Sequence, residues 1–350
     1  MAFTNINKPS DYFNTVLYTG NSTDDRTVTG VGFQPDWLWI KDRSNARVHY
    51  LADRVRGDTK YLQSQSTTAE ITSSSAVKSI DSDGFTTGTS TTVNSNGETY
   101  VAWNWLAGGT GVSNTDGSIT STVSANTTAG FSIATYTGNG TSGANFGHGL
   151  GVKPSCVIVK SRSLGTQNWQ FVSKALSATP FASGNYLKLN STDGMGTNTA
   201  VWNAEPTSSL IYLTSSPDTN SSGATYVCYA FAEKKGFSKF GSYTGNGSAN
   251  GPFVYTGFKP AFVMIKLYNT TVDHWYIQDS KRLGYNFQNP ELRPNSTNAE
   301  NLPGYADMLS NGFKLRDNGD GNNGSGYGYI YMAFAESPFT TSTGIPTTAR

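Results

Sequence analysis

Charge is scarce in this sequence of 350 residues. Asp, Glu, Lys and Arg make up 14% of the chain, with 25 basic and 24 acidic residues and a formal net charge of +1. Proteins that bind nucleic acids usually present a basic face, whose lysines and arginines displace counterions from the phosphates. The even balance of charge gives no sign of such a face, and we expect no nucleic acid partner.

Long apolar runs and cysteines are also few. Apolar runs such as residues 37–40 and 156–159 are far shorter than the roughly 18 residues that a membrane helix needs. Residues 1–10 are polar and lack the apolar stretch of a secretory signal peptide. The two cysteines, Cys156 and Cys228, are too few for a disulfide framework. We therefore expect synthesis in a reducing cytoplasm, without a signal peptide, and no insertion into a membrane.

Signatures of common enzyme classes are missing as well. The chain has no G-x-S-x-G nucleophile motif, no H-E-x-x-H zinc motif, no phosphate-binding loop and no C-x-x-C pair. We therefore predict a protein that is not an enzyme and that needs no cofactor and no metal.

Uncharged polar residues and aromatic residues take the place of charge. Thr (44), Ser (40) and Asn (30) together form about a third of the chain, and aromatic residues make up 13%. Thr and aromatic residues favour strands, whereas Gly, Asn and Ser favour turns. The composition predicts an all-β protein with apolar cores and uncharged polar outer faces.

A set of short motifs occurs three times in the same order, which indicates an internal triplication. Each copy begins with Tyr-Thr-Gly-Asn, continues with a Pro and an apolar run that ends in Lys, and closes with an aromatic strand. Between these motifs, a Leu is followed four residues later by Ser-Thr. The first motif starts at Tyr18, Tyr136 and Tyr243; the Pro and Lys residues are Pro35 and Lys41, Pro154 and Lys160, and Pro260 and Lys266; the Leu residues are Leu62, Leu187 and Leu292; the closing strands are residues 100–105, 226–231 and 329–334.

The three copies divide the chain into units of β-sandwich size. We expect one jelly-roll-like β-sandwich in each of residues 1–117 (unit 1), 118–236 (unit 2) and 237–339 (unit 3), followed by a loose C-terminal tail over 340–350. The apolar run that ends at Lys41 is typical of a strand buried on both faces.

A repeated aromatic position is the leading candidate for a binding site. Nine residues after the Lys of each copy stands an aromatic residue, preceded by His or Asn. Exposed aromatic rings beside Asn, Gln and His are typical of sugar-binding sites, but a repeated Trp is also a common core residue. The candidate glycan contacts are Tyr50, Trp169 and Trp275, with His49, Asn168 and His274.

A repeated Asp-x-x-Arg stretch with a Glu further on could supply the paired acids of a glycoside hydrolase. It occurs in units 1 and 3 and has no counterpart in unit 2, and Asp-x-x-Arg is also a common local ion pair. The position that holds His in units 1 and 3 holds Asn168 in unit 2, and Asn cannot act as a general base. We therefore favour structural roles and predict no catalytic residues. The two Asp-x-x-Arg stretches are Asp53 to Arg56, followed by Glu70, and Asp279 to Arg282, followed by Glu300.

The chain resembles a repeat domain of virion-associated and tail-fibre-like proteins of tailed phages, especially marine and cyanobacterial ones. The resemblance covers nearly the whole chain, and it implies a virion setting without assigning catalytic residues. It depends on residues 7–13, 18–21, 35–43, 53–57, 83–85, 100–105 and 114–121, and on the His148-Gly149-Leu150-Gly151 joint with Pro154.

Three hypotheses about function follow. The first is a virion structural protein, a tail-fibre or appendage subunit made in the host cytoplasm, that contacts host surface glycans. The second is a capsid-attached fibre or decoration protein without a receptor role, and the third, which we favour least, is a glycan depolymerase. We also expect contacts with other virion proteins and a homo-oligomer, most simply a trimer, because facing surfaces with little charge can approach without costly desolvation of ions.

Overall fold

The chain folds almost entirely into antiparallel β-sheets. The structure, a computed structural model, describes residues 4–270, 272–282, 286, 290–301 and 306–347. In that part of the chain, no helix is long and apolar enough to cross a membrane. The prediction of an all-β, sandwich-like fold is confirmed.

Unit 1 forms two sheets. Its elements are a 3-10 turn (Pro9–Asp11), β1 (Phe13–Thr19), β2 (Arg26–Thr29), β3 (Trp37–Asp42), β4 (Tyr50–Asp53), β5 (Lys60–Leu62), β6 (Ile71–Thr72), β7 (Val77–Asp81), β8 (Gly84–Thr87), the one-turn helix α1 (Thr91–Asn94) and β9 (Thr99–Trp105). The main sheet has the order β1-β9-β3-β4-β5-β6, and the second sheet has the order β2-β8-β7.

Units 2 and 3 follow the same plan. The elements of unit 2 are β10 (Val112–Asn114), β11 (Ser121–Asn126), β12 (Phe131–Thr137), β13 (Asn145–Gly147), β14 (Cys156–Ser161), β15 (Gln170–Ser173), β16 (Asn185–Lys188), β17 (Gly196–Thr197), β18 (Leu210–Tyr212), α2 (Pro217–Asn220) and β19 (Thr225–Phe231). Those of unit 3 are β20 (Ser238–Thr244), β21 (Phe253–Tyr255), β22 (Phe258–Leu267), β23 (Trp275–Asp279), β24 (Ala306–Leu309), β25 (Gly312–Leu315), α3 (Asp320–Asn323) and β26 (Gly328–Pro338). Although β10 lies before residue 118, it pairs with β11 and joins the sheet of unit 2.

Four central strands of the main sheet have one order in all three units. The order is β1-β9-β3-β4 in unit 1, β12-β19-β14-β15 in unit 2 and β20-β26-β22-β23 in unit 3. Pro35 and Pro154 precede β3 and β14, whereas Pro260 lies inside β22 at a β-bulge. Strand pairing therefore defines which residues of the three units are equivalent. The repeated lysines show this correspondence: Lys41 lies opposite Val101, Lys160 opposite Val227 and Lys266 opposite Ile330.

The main sheet of unit 1 is buried on both faces, which explains the uninterrupted apolar run before Lys41. Leu38 and Ile40 of β3 share an apolar cluster with residues of the second sheet, such as Phe85. Trp37 and Trp39, which alternate with them, belong to a larger cluster shared with units 2 and 3. Because successive side chains of a strand point to opposite faces, β3 serves two cores at once.

Aromatic residues of all three units meet in this larger core. Trp37 of unit 1 stacks on Tyr229 of unit 2 with ring centroids 4.5 Å apart. Phe334 of unit 3 lies 5.3 Å from Phe13 of unit 1 and 5.8 Å from Phe231 of unit 2. Each unit thus contacts both others through apolar faces that a separate unit would expose to water.

The Tyr-Thr-Gly-Asn motif holds the one-turn helix that precedes the closing strand. In unit 1, Tyr18 stacks on Tyr100 at 5.0 Å and donates its hydroxyl to the carbonyl of Val93 in α1. A Cβ on Gly20 would lie 2.0 Å from the carbonyl oxygen of Ser95, so only glycine fits there. The motif is therefore a structural clamp. It is repeated by the stacked pairs Tyr136–Tyr226 and Tyr243–Tyr329, with centroids 5.2 and 5.0 Å apart, and by Gly138 and Gly245.

The predicted loose tail is described as far as residue 347. Thr340 and Pro346 form an isolated bridge, and Asn7 Nδ2 donates to Ser342 Oγ at 2.9 Å. This segment thus returns to the start of the chain, while residues 348–350 lie outside the described part.

Candidate functional site

The three aromatic residues predicted to contact glycans lie in the interior: Trp169 and Trp275 where units meet, and Tyr50 in the core between the two sheets of unit 1. Tyr50, Trp169 and Trp275 are each at most 1% exposed. Trp169 Nε1 donates to the carbonyl oxygen of Gln63 in unit 1 at 2.9 Å, and Trp275 Nε1 donates to that of Lys188 in unit 2 at 3.0 Å. A ring buried in this way presents no face for stacking on a sugar. In this structure the three rings are core residues, which is the alternative interpretation of a repeated Trp.

Unit 1 makes the equivalent contact through His49 instead of Tyr50. Trp39 Nε1 donates to His49 Nδ1 at 2.8 Å, and His49 Nε2 lies 3.0 Å from the carbonyl oxygen of Arg293 in unit 3. Because Nδ1 accepts the indole proton, the neutral ring carries its own proton on Nε2 and donates it to that carbonyl. Burial, and then the charge of Lys41, holds the pKa of His49 well below its ordinary value.

The other two polar candidates support loops near these contacts. Asn168 Oδ1 accepts a hydrogen bond from Asn190 Nδ2 at 2.9 Å, and the Asn168 N–H donates to Asp218 at 3.0 Å. The His274 N–H donates to Asp273 Oδ1 at 2.6 Å, and burial lowers the pKa of the His274 imidazole. Both residues take part in the hydrogen bonding of their own unit.

The carbonyl groups that receive these bonds are equivalent, so the contacts close into a ring. Gln63, Lys188 and Arg293 each follow the repeated Leu of their unit. Unit 2 donates to unit 1, unit 3 donates to unit 2, and unit 1 donates to unit 3. A closed cycle of equivalent contacts gives the chain a pseudo-threefold arrangement, of the kind that separate subunits form in a cyclic trimer.

The repeated Asp-x-x-Arg pairs lie on the same ring and bind across it. Arg56 forms a fully buried ion pair with Asp53, and Tyr229 of unit 2 donates its hydroxyl to Asp53 Oδ2 at 2.7 Å. Asp279, paired in the same way within unit 3, accepts a hydrogen bond from Trp103 Nε1 of unit 1 at 3.0 Å. These carboxylates therefore join neighbouring units, and they face each unit's neighbour and not the solvent.

A Glu extends each ionic cluster to an arginine of the neighbouring unit. Glu70 accepts two hydrogen bonds from Arg162 of unit 2, both at 2.9 Å, and Glu300 accepts two from Arg43 of unit 1 at 2.8 and 2.9 Å. Burial raises the pKa of Glu70, but the hydrogen bonds and charges of Arg162 and Arg56 outweigh it and hold the pKa below its ordinary value. Paired hydrogen bonds of this kind restrict orientation as well as distance, so each pair constrains the orientation of the two units that it joins.

The contact of unit 3 with unit 2 replaces every one of these groups. Its backbone geometry is retained, because the Met195 N–H donates to the carbonyl of Tyr268 at 2.8 Å, where the Glu70 N–H donates to that of Arg162 at 2.7 Å. The contact is thus without charge at the positions that are ionic elsewhere. The residues equivalent to the Asp, its Arg, the Glu, the neighbour's Arg and the neighbour's Tyr or Trp are Ser173, Leu176, Met195, Tyr268 and Met332.

The cysteines are placed as small core residues. Cys156 and Cys228 are buried free thiols, and burial raises the pKa of each. Over the residues that the structure describes, no three or more His, Cys, Asp or Glu side chains are grouped to hold a metal ion.

A surface cleft of about 410 Å³ lies where unit 2 joins unit 3. Two exposed aromatic residues line it, Tyr255 at 57% and Phe339 at 38% exposure. Lys235, Lys239 and Glu233 line the cleft as well. The cleft therefore offers aromatic faces and charged groups to a ligand from solvent.

Motif analysis missed this cleft because its aromatic residues are not repeated. A recurring residue has the same role in each of the three units. The recurring residues described above pack in the core or form hydrogen bonds. The signal present in the sequence is Phe339, which stands five residues after the closing strand of unit 3, where units 1 and 2 have Thr110 and Gly236.

Comparison with known proteins adds a family match. The model of a family described as "Domain of unknown function (DUF7483)" matches residues 8–338, a span that runs through all three units. No curated protein and no solved structure matches the chain.

Proposed function

We propose that this chain, which belongs to the DUF7483 family, is a structural and adhesive subunit of a virion, of the tail-fibre or appendage kind. The description of the family names no activity, so the function of this chain is inferred from its own residues. Two kinds of observation support the assignment: the sequence resemblance to phage tail-fibre-like repeat domains, and the way in which the three units are joined.

The closed ring of sheets is the observation that carries this assignment. Each unit donates hydrogen bonds to the next, and unit 1 closes the cycle on unit 3. Contacts within one chain do not dissociate on dilution, because the effective concentration of the partner is set by the chain itself. A body built in this way suits a particle that works outside the cell at very low concentration.

The location of the protein on particles tests the assignment. Antibodies raised against the purified chain are expected to label intact particles released on host lysis, with the label at the tail or its appendages. Label confined to the capsid would replace the adhesive role with that of a decoration protein. Absence of the protein from purified particles would overturn the virion assignment.

Incubation with host polysaccharide separates adhesion from depolymerisation. We expect the purified chain to bind the polysaccharide and leave its length distribution unchanged in size-exclusion chromatography. Release of oligosaccharides would contradict the adhesive role and favour a depolymerase.

Self-association is a separate part of the proposal. The contacts that separate sandwiches would make in a trimer are made here between units of one chain, so a homo-oligomer must use outer surfaces. Light scattering at micromolar concentration is expected to give a multiple, most simply three times, of the 37.5 kDa chain mass. A mass of one chain would contradict self-association in the absence of other virion proteins.

A further inference from the structure

We infer that the cleft between units 2 and 3 binds a sugar residue that carries a carboxylate, as in a polyuronate. This inference deepens the proposed adhesive function by naming the site and the class of ligand. Three observations carry it: the exposed rings of Tyr255 and Phe339, the net positive charge near them, and the presence in one cleft of three residues that depart from the repeat.

The aromatic rings are available to a ligand in a way that the repeated rings are not. Tyr255 is 57% exposed and Phe339 is 38% exposed, whereas Trp169 and Trp275 are at most 1% exposed. A ring at the surface costs nothing to uncover, and its apolar face can cover the C–H face of a sugar ring, while the Tyr255 hydroxyl supplies a polar group at the edge.

Comparison of the three units shows that the two aromatic residues and Lys239 are present in unit 3 and absent from the equivalent positions of units 1 and 2. A body that needed an aromatic residue for folding at these positions would carry it in every unit, as it does at the Tyr-Thr-Gly-Asn clamp. The three departures line one cleft, which indicates a task beyond folding. By strand pairing and spacing from the closing strand, Tyr255 corresponds to Thr29 and Gly147, Phe339 to Thr110 and Gly236, and Lys239 to Asn14 and Ser132.

The backbone places the two rings on a common support. Tyr255 ends β21, which pairs with β25, and two residues later Gly257 has a φ of +83°. The Phe339 N–H donates to the carbonyl of Gly257 at 3.3 Å. One turn therefore holds both aromatic residues, so a ligand does not need to order a loop before it binds.

The charge of the cleft selects an acidic ligand. Its lining includes Lys239 and Glu233. The Glu233 carboxylate lies 2.7 Å from Lys174 Nζ and 3.7 Å from Lys239 Nζ, so two ammonium groups share one carboxylate. The net positive charge of this cluster favours a carboxylate on the ligand over a neutral sugar.

Affinity electrophoresis of the full chain through gels that contain polygalacturonate or dextran tests this inference. We expect retardation by polygalacturonate and little by dextran. Tyr255→Ala and Phe339→Ala should each weaken binding about tenfold, which corresponds to one lost aromatic contact. Lys239→Gln should weaken binding of the polyuronate and reduce the preference over dextran. The matched control is Phe253→Ala, because Phe253 lies on the same strand and is 45% exposed but does not line the cleft.

Each outcome has one meaning. Unchanged thermal unfolding of the variants, with binding lost only for those in the cleft, supports the site. Equal retardation of the Tyr255→Ala, Phe339→Ala and unmodified chains, no retardation of the unmodified chain by polygalacturonate, or equal retardation by dextran would overturn it. Polyuronate binding by a chain that is absent from particles would leave the site intact and refute the virion assignment, whereas a chain found on particles without polyuronate binding would do the reverse.

Discussion

Two of the three contacts between units are ionic, and the third reaches the same backbone geometry with uncharged residues at the equivalent positions. Where unit 2 meets unit 1, a fully buried Asp53–Arg56 pair bonds to Tyr229 across the contact. Where unit 3 meets unit 2, Ser173 stands at the position of Asp53, and Met332 at that of Tyr229. The same backbone arrangement therefore tolerates two quite different sets of side chains.

The comparison shows that the ionic residues act as a set. No contact combines some of the ionic residues with some of the uncharged ones, because a buried Arg without its carboxylate, or the reverse, costs far more than either complete set. Buried ion pairs of this kind add little net stability, since their attraction is largely offset by desolvation. Their contribution in this chain is the direction that the paired Arg–Glu hydrogen bonds impose on the contact between units.

Removal of one carboxylate should have the largest effect. Asp53→Ala leaves Arg56 buried without its main partner, and we expect a loss of about 3–5 kcal/mol in the free energy of unfolding. The matched control is Ser173→Ala at the equivalent position of the uncharged contact, which should cost less than about 1 kcal/mol. Denaturant unfolding of the two variants measures the difference. Equal losses would show that the ionic and uncharged contacts do not differ in the way described.

Removal of one indole donor should cost less. Trp169→Phe keeps an aromatic ring but leaves the Gln63 carbonyl without its donor, and we expect a loss of about 1–3 kcal/mol. Trp275→Phe makes the same change at the uncharged contact and should cost a similar amount. A loss confined to one of the two variants, measured by denaturant unfolding, would refute the equivalence of the two hydrogen bonds.

Acid should loosen the ionic contacts and spare the uncharged one. The pKa of Glu70 is held below its ordinary value of 4.5, because its arginine partners outweigh the effect of burial. The stability from this group is therefore fully present above pH 4.5 and is lost as the pH falls through the lower folded pKa. Hydrogen exchange measured at pH 6 and at pH 3 is expected to show that backbone amides around residues 70 and 162 selectively lose protection at the lower pH. An equal loss of protection around residues 195 and 268, which form the equivalent uncharged contact, would contradict this expectation.

Exchange of the whole ionic set should have the smallest effect. A chain that carries Asp53→Ser, Arg56→Leu, Glu70→Met, Arg162→Tyr and Tyr229→Met would have two uncharged contacts. We expect its stability to equal or exceed that of the unmodified chain, because replacement of a complete buried ionic set by apolar residues is often neutral or stabilising. A loss as large as that of Asp53→Ala alone would show that the residues do not act as a set.

Much of the body could be predicted from sequence, because local pattern and repetition report local structure. The all-β fold, the strand before Lys41 with two buried faces and the local ion pairs at Asp53 and Asp279 follow from composition, apolar runs and spacing. The closed ring of contacts between units could not be predicted. The sequence does not show whether the indole N–H of a buried Trp donates within its own unit or to a carbonyl of a neighbouring unit. The cleft was missed for a different reason: Tyr255 reads as an ordinary strand residue until strand pairing aligns it with Thr29 and Gly147.

Side-by-side measurement of Tyr255→Ala and Trp169→Phe tests most directly whether repeated residues build the body and the departures in unit 3 bind the ligand. Polygalacturonate affinity and thermal unfolding are measured on both variants. We predict that Tyr255→Ala weakens binding about tenfold and leaves unfolding unchanged, whereas Trp169→Phe lowers the unfolding temperature and leaves binding unchanged at a temperature where it is folded. Loss of stability in Tyr255→Ala together with loss of binding in folded Trp169→Phe would contradict this division of roles.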